Sequence, residues 1–187
     1  MPTLVELVVL FVAGATAAVC MAFVRLRLGI PGHVIVWAIL PIAAGVAFAP
    51  RRLSGTLAGL GAVLTVGFLS MTGNDVPQPA AATGLFAFGP LLDVVRLGVG
   101  SSKIRLIPCT ALAGLLANTL AYFVRLGLNV FELDLGMTHV LSDFGWSVYA
   151  KFAACGFVVG VIGGMLLWGA SKRRAKSSTA AATEIGA

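Results

Sequence analysis

A chain of 187 residues that is 59% hydrophobic and only 11% charged lies outside the range of soluble globular domains. Its mean hydropathy of +1.00 leaves too few polar side chains to cover a water-facing surface. The formal net charge of +6 does not signal nucleic acid: Lys172, Arg173, Arg174 and Lys176 stand together behind the last apolar run, as membrane-flanking basic residues do, and no nucleic-acid motif accompanies them.

A membrane-crossing helix takes about 20 apolar residues, so this length admits about six or seven spans and little else. In chain order, the apolar runs predict helices at 3–24, 33–49, 54–71, 83–100, 104–126 and 146–170. The connections are RLRLGIPG at 25–32, PRRL at 50–53, TGNDVPQPAAA at 72–82, a short link at 101–103 and a longer one at 127–145. The fold class expected is an all-α membrane protein, one six-helix transmembrane domain over 1–170, followed by a disordered basic cytoplasmic tail at 171–187. The N-terminus lacks the basic region and small-residue cleavage site of a signal peptide, so residue 3 onward is expected in the mature protein. Cys20, Cys109 and Cys155 are isolated within apolar stretches and read as small core residues. No repeat of fixed period occurs.

Six spans put both termini on one side of the membrane. With the N-terminus inside, Arg51, Arg52, Lys103, Arg105 and the four tail residues fall on the inner side, and Arg25, Arg27 and Arg125 on the outer. Eight basic residues against three place both termini in the cytoplasm. The first helix disagrees locally, since Glu6 lies near its start and Arg25 and Arg27 follow its end.

Helices in lipid associate by close packing rather than by the hydrophobic effect, so small-residue faces mark contacts. Such faces are Gly156, Gly160 and Gly164 on the sixth helix, Gly55 and Gly59 with Ala58 and Ala62 on the third, and Ala13, Gly14, Ala17, Ala18 and Ala22 on the first. Each serves either packing within the bundle or docking of a partner. Pro41, Pro90 and Pro108 are positions for kinks.

Under this topology several polar and aromatic residues share the outer half. His33 and Trp37 are one turn apart on the second helix, Asn118 and Tyr122 one turn apart on the fifth, and Trp146, Tyr149 and Lys151 open the sixth. Trp146 and Tyr149 also suit an interfacial aromatic belt, and Lys151 can snorkel to the interface. As an ionisable residue in an apolar segment, Lys151 is expected to pair with a substrate carboxylate or with Glu132, Asp134 or Asp143. Arg25 and Arg27 attract an anion over the pocket or bind lipid phosphate. Asp93 and Arg96, three residues apart, are expected to form an ion pair toward the cytoplasmic side.

Enzyme chemistry finds no support in the sequence. The only histidines are His33 and His139, and neither a GxSxG, an HExxH nor an aspartate-rich metal motif occurs. No GxxxxGK[ST] is present, so any ATP use belongs to another chain. The stretch from Pro31-Gly32-His33 through VIVWAILPIAAGVAFAPRRLSGTLAGLGAVLTVGFL to Leu69 resembles the second-to-third helix junction of the substrate-binding membrane subunits (S components) of energy-coupling factor transporters. Ala13 and Ala17 resemble the AxxxA face by which those subunits dock on a shared coupling protein, with Gly14 and Ala18 beside them.

The resemblance implies capture of a vitamin, vitamin precursor or similar micronutrient beneath the first, third and fifth loops, followed by toppling of the subunit in a complex driven by ATPases. It implies a multi-pass protein of the bacterial inner membrane whose partners are the solute, the coupling and ATPase subunits and lipids, with no nucleic acid, no cofactor and no metal. The histidine motif at the start of the nickel and cobalt branch is absent here, where the chain begins Met1-Pro2-Thr3, which argues against a metal ion as cargo. The pocket expected comprises His33, Trp37, Asn118, Tyr122, Tyr149 and Lys151, with Arg25 and Arg27 above it. The competing reading is a structural or assembly protein that binds lipid or a partner through its small-residue faces; a membrane-embedded enzyme using His33 or His139 comes third.

Overall fold

Thr3 starts the first helix in reciprocal fashion: its hydroxyl accepts from the Glu6 N–H at 3.3 Å, and the Glu6 carboxylate accepts from the Thr3 N–H at 2.9 Å. The computed structural model describes residues 3–24, 32–73, 77–99, 105–130 and 145–185. They form six helices: α1 Leu4–Phe23, α2 Ile35–Phe48, α3 Ser54–Met71, α4 Pro79–Val99, α5 Leu106–Val130 and α6 Trp146–Ile185. All but α2 are long and apolar enough to cross a membrane.

Three boundaries differ from those predicted, each for a local reason. Helix α4 begins at Pro79 because a proline suits the first turn, where its missing N–H has no helical partner anyway. Helix α5 continues through Gly127 to Val130. Helix α6 does not end near residue 170: its backbone stays helical to Ile185, over the segment expected as a disordered tail. That stretch is rich in Ala, Lys and Arg, all strong helix formers, and the Ser171 hydroxyl bonds back to the Trp168 carbonyl at 2.7 Å without breaking the turn.

Consecutive helices run antiparallel. Along the α5–α6 seam, Ile107, Thr110, Gly114 and Asn118 meet Gly164, Gly160, Gly156 and Phe152 in reverse order. A Cβ added at Gly160 would lie 2.5 Å from the Thr110 carbonyl oxygen and 2.7 Å from the Ala111 Cα, so the two backbones touch. Helix α1 lies on α3 in the same way, with Gly14 against the backbone of Ala58 and Ala62, and α3 meets α4 where Gly55 and Gly89 abut.

Helix α2 occupies the middle and touches all five others. Ala38, Ile39, Ile42, Ala43 and Val46 are fully buried. Its 14 residues span about 21 Å, short of a hydrocarbon layer of about 30 Å. The apolar side chains left outside, such as Val8 and Val12 on α1 and Phe157 and Ile162 on α6, point where lipid would be.

Both ends of the bundle are polar, but one is tied together. The α2–α3 turn bends through Leu53, at φ 65, and Arg51 in that turn pairs with Glu6 of α1 at 2.8 Å. Asp93, only 4% exposed, does not pair with Arg96 as expected. Its carboxylate accepts instead from the Gly55 N–H (3.1 Å), the Thr56 N–H (2.7 Å) and the Thr56 hydroxyl (2.8 Å). The exposed N–H groups of a helix start carry partial positive charge, so the start of α3 competes with a guanidinium on the same helix for the carboxylate. Arg96 turns to the hydroxyl of the fully buried Ser54 at 3.5 Å.

Two substitutions test these contacts by reversible unfolding in detergent. Gly160→Val is expected to destabilise by about 1–3 kcal/mol through overpacking, while Gly67→Ala, beside open space within α3, is expected to leave stability unchanged or raise it by up to about 1 kcal/mol. Asp93→Ala, which strands buried donors, is expected to cost about 3 kcal/mol, with Asp93→Asn intermediate.

Candidate functional site

At the end opposite the tied turn lies a small recess of about 70 Å³ where α1, α2, α4, α5 and α6 converge above the first turn of the short α2. Its walls are mostly small or apolar, with Met21, Ile35, Ala81, Gly84, Ala121 and Phe152 among them. Three polar residues face it: Gln78 just before α4, and Asn118 and Arg125 on α5.

Asn118 organises this wall. It is 2% exposed, and its amide nitrogen donates to the Gly32 carbonyl at 3.2 Å and to the Phe152 carbonyl at 2.7 Å. One side chain on α5 therefore holds both the approach to α2 and the first turns of α6. Gly32 has φ +83, and a Cβ there would lie 2.8 Å from the Asn118 nitrogen and 3.0 Å from the Phe152 ring. Both the backbone conformation and the space require glycine. The Gly32 carbonyl also accepts the Ile35 N–H at 3.3 Å, so the latch sets the start of α2.

Beside this cavity, aromatic rings stack between α5 and α6. Tyr122, 5% exposed, sits edge-on to Tyr149 (ring centroids 5.4 Å apart) and to Phe152 (5.6 Å), and Tyr149 is edge-on to Trp146 (5.7 Å). Tyr122, Phe123, Leu126, Gly145, Trp146 and Tyr149 line a second, more open hollow.

Of the expected site residues, Asn118 borders the first cavity, and Tyr122 and Tyr149 form the aromatic group next to it. His33, Trp37 and Lys151 line neither hollow: His33 follows the latched glycine, Trp37 packs on the core, and Lys151 is exposed. Arg25 and Arg27 lie outside the described residues, as do the acidic partners considered for Lys151. The α1 face assigned to docking is interior. Ala17 and Ala18 are fully buried, Gly14 is pressed on α3, and a Cβ at Gly45 of α2 would lie 2.5 Å from that of Ala13.

Arg125, Gln78 and Phe152 were not anticipated as site residues. For Arg125 a signal existed, because Asn118, Ala121 and Arg125 form one stripe at helical spacing, although Arg125 entered the sequence argument only in the count of outer-side charges. Among the described residues, no group of three His, Cys, Asp or Glu is placed to hold a metal ion. Compared with known proteins, the chain matches no protein-family model, no curated protein and no solved structure.

The Asn118 latch has a measurable worth. Asn118→Leu removes both hydrogen bonds and is expected to lower stability by about 1–2 kcal/mol, given about 0.6 kcal/mol on average and up to about 1.7 for interhelical bonds in membranes. Gly32→Ala should cost at least as much, as measured by the same unfolding assay.

Proposed function

We propose that this protein is a multi-pass subunit of a bacterial inner membrane that captures a small solute and hands it to coupling and ATPase partners, in the manner of energy-coupling factor S components. The observation that carries this reading is the cavity at one end of the bundle, where Gln78, Asn118 and Arg125 face a space otherwise walled by small and apolar side chains. A few fixed polar groups in an apolar recess are the common composition of a small-molecule site.

Charge distribution supports the direction of capture. Arg51, Arg52, Arg105, Lys172 and Arg173 all belong to the end with the tied turn, which on the positive-inside rule is cytoplasmic, so the cavity opens outward. The small-residue faces that favoured a scaffold instead join the chain's own helices. A coupling partner would therefore meet a different surface from the Ala13 and Ala17 face.

The test is retention of a compound. Protein purified in mild detergent is expected to release a small molecule identifiable by mass spectrometry, and Ala81→Phe, which fills the cavity without touching its hydrogen bonds, should lower its occupancy at least about tenfold. Equal occupancy in both proteins removes the cavity from the reading. A reporter fused after Ala187 checks orientation: activity confined to the outer side reverses it.

A further inference from the structure

We infer that the solute is a short amino acid or hydroxy acid, a carboxylate whose far end carries a hydrogen-bond donor; this rests on the solute-capture reading above. The two poles of the cavity wall differ in kind. At the inner pole both hydrogens of the Asn118 amide are committed to main-chain carbonyls, which fixes which way the amide faces. What it can offer a ligand is the carbonyl oxygen Oδ1, to which nothing donates among the described residues. An acceptor on a residue only 2% exposed selects an N–H or O–H over an apolar or acceptor group.

The outer pole is Arg125, two turns further along the same face of α5, with its Cα about 10.5 Å from that of Asn118. Helical side chains lean toward the N-terminus, which for Arg125 is the direction in which Asn118 lies. Arg125 already has an interaction within the protein, and five N–H donors leave it able to take a carboxylate as well. Between the poles the wall consists of Ala121 from α5, Gly84 and Ala81 from α4 and Ile35 from α2. This suits an aliphatic spacer of a few carbons. One guanidinium suits a single carboxylate better than a phosphate, which calls for several donors, and its charge disfavours a simple amine.

Three length-matched probes separate the contributions: 4-aminobutyrate, butyrate and butylamine, each titrated against the intact protein in detergent with thermal stability as readout. The expected order is 4-aminobutyrate strongest, butyrate weaker and butylamine without effect. In Arg125→Gln the 4-aminobutyrate midpoint should rise at least about tenfold, with partial recovery in Arg125→Lys, while far-ultraviolet circular dichroism verifies that each variant is folded. Stabilisation by butylamine equal to that by the amino acid overturns the inference. A co-purifying compound that carries no carboxylate overturns this solute class and leaves capture standing. Absence of both a retained compound and a shift with any probe overturns the inference and the capture reading together.

Discussion

Close approach of backbones is the constraint on which the bundle depends. Lipid tails are as apolar as leucine, so two helices gain little by burying leucines against each other and much by fitting closely. Here that fit is achieved by placing glycine or alanine wherever axes come nearest: Gly14 on Ala58, Gly55 on Gly89, and the Gly156, Gly160 and Gly164 series along α5. Once the helices are this close, a polar side chain between them is shielded from lipid, and its best partner lies in the protein. Asp93 does so at one end and Asn118 at the other.

Those two residues make the ends unlike each other. Asp93 presents a carboxylate to the start of α3, and Arg51 reaches from the same turn to Glu6, so α1, α3 and α4 are joined by charge-assisted contacts. Asn118 uses a neutral amide and only its donor side, which leaves an acceptor in a recess above α2. The first arrangement gives its carboxylate three donors; the second leaves an amide oxygen with no donor among the described residues. This contrast separates a structural polar cluster from a candidate binding wall more clearly than composition does.

Most of the fold was legible because apolar run length and charge bracket each helix: 54–71 was predicted at the same boundaries as α3, and the other starts and ends mostly fall within a few residues. The polar pairings were not legible. Asp93 and Arg96 are well spaced for an ion pair, but spacing along one helix carries no information about a neighbouring helix start that arrives from 37 residues earlier. The α1 small face was misread for a related reason, since the same residues serve an internal seam or an external one and only the packed bundle decides. Trp37 and Lys151 share a depth with Asn118 but not a direction, and depth alone does not make a site.

The shortness of α2 bears on how the bundle is assembled. A stretch of 14 residues is a poor independent occupant of a bilayer, and its burial comes from α1 before it in the chain and from α6 far after it. Synthesis delivers α6 last. Until it arrives, one flank of α2 has no protein neighbour, and the recess above α2 has only part of its wall. Closure of the core and completion of the recess are thus a single late event in biogenesis, so a chain truncated before residue 146 lacks both at once.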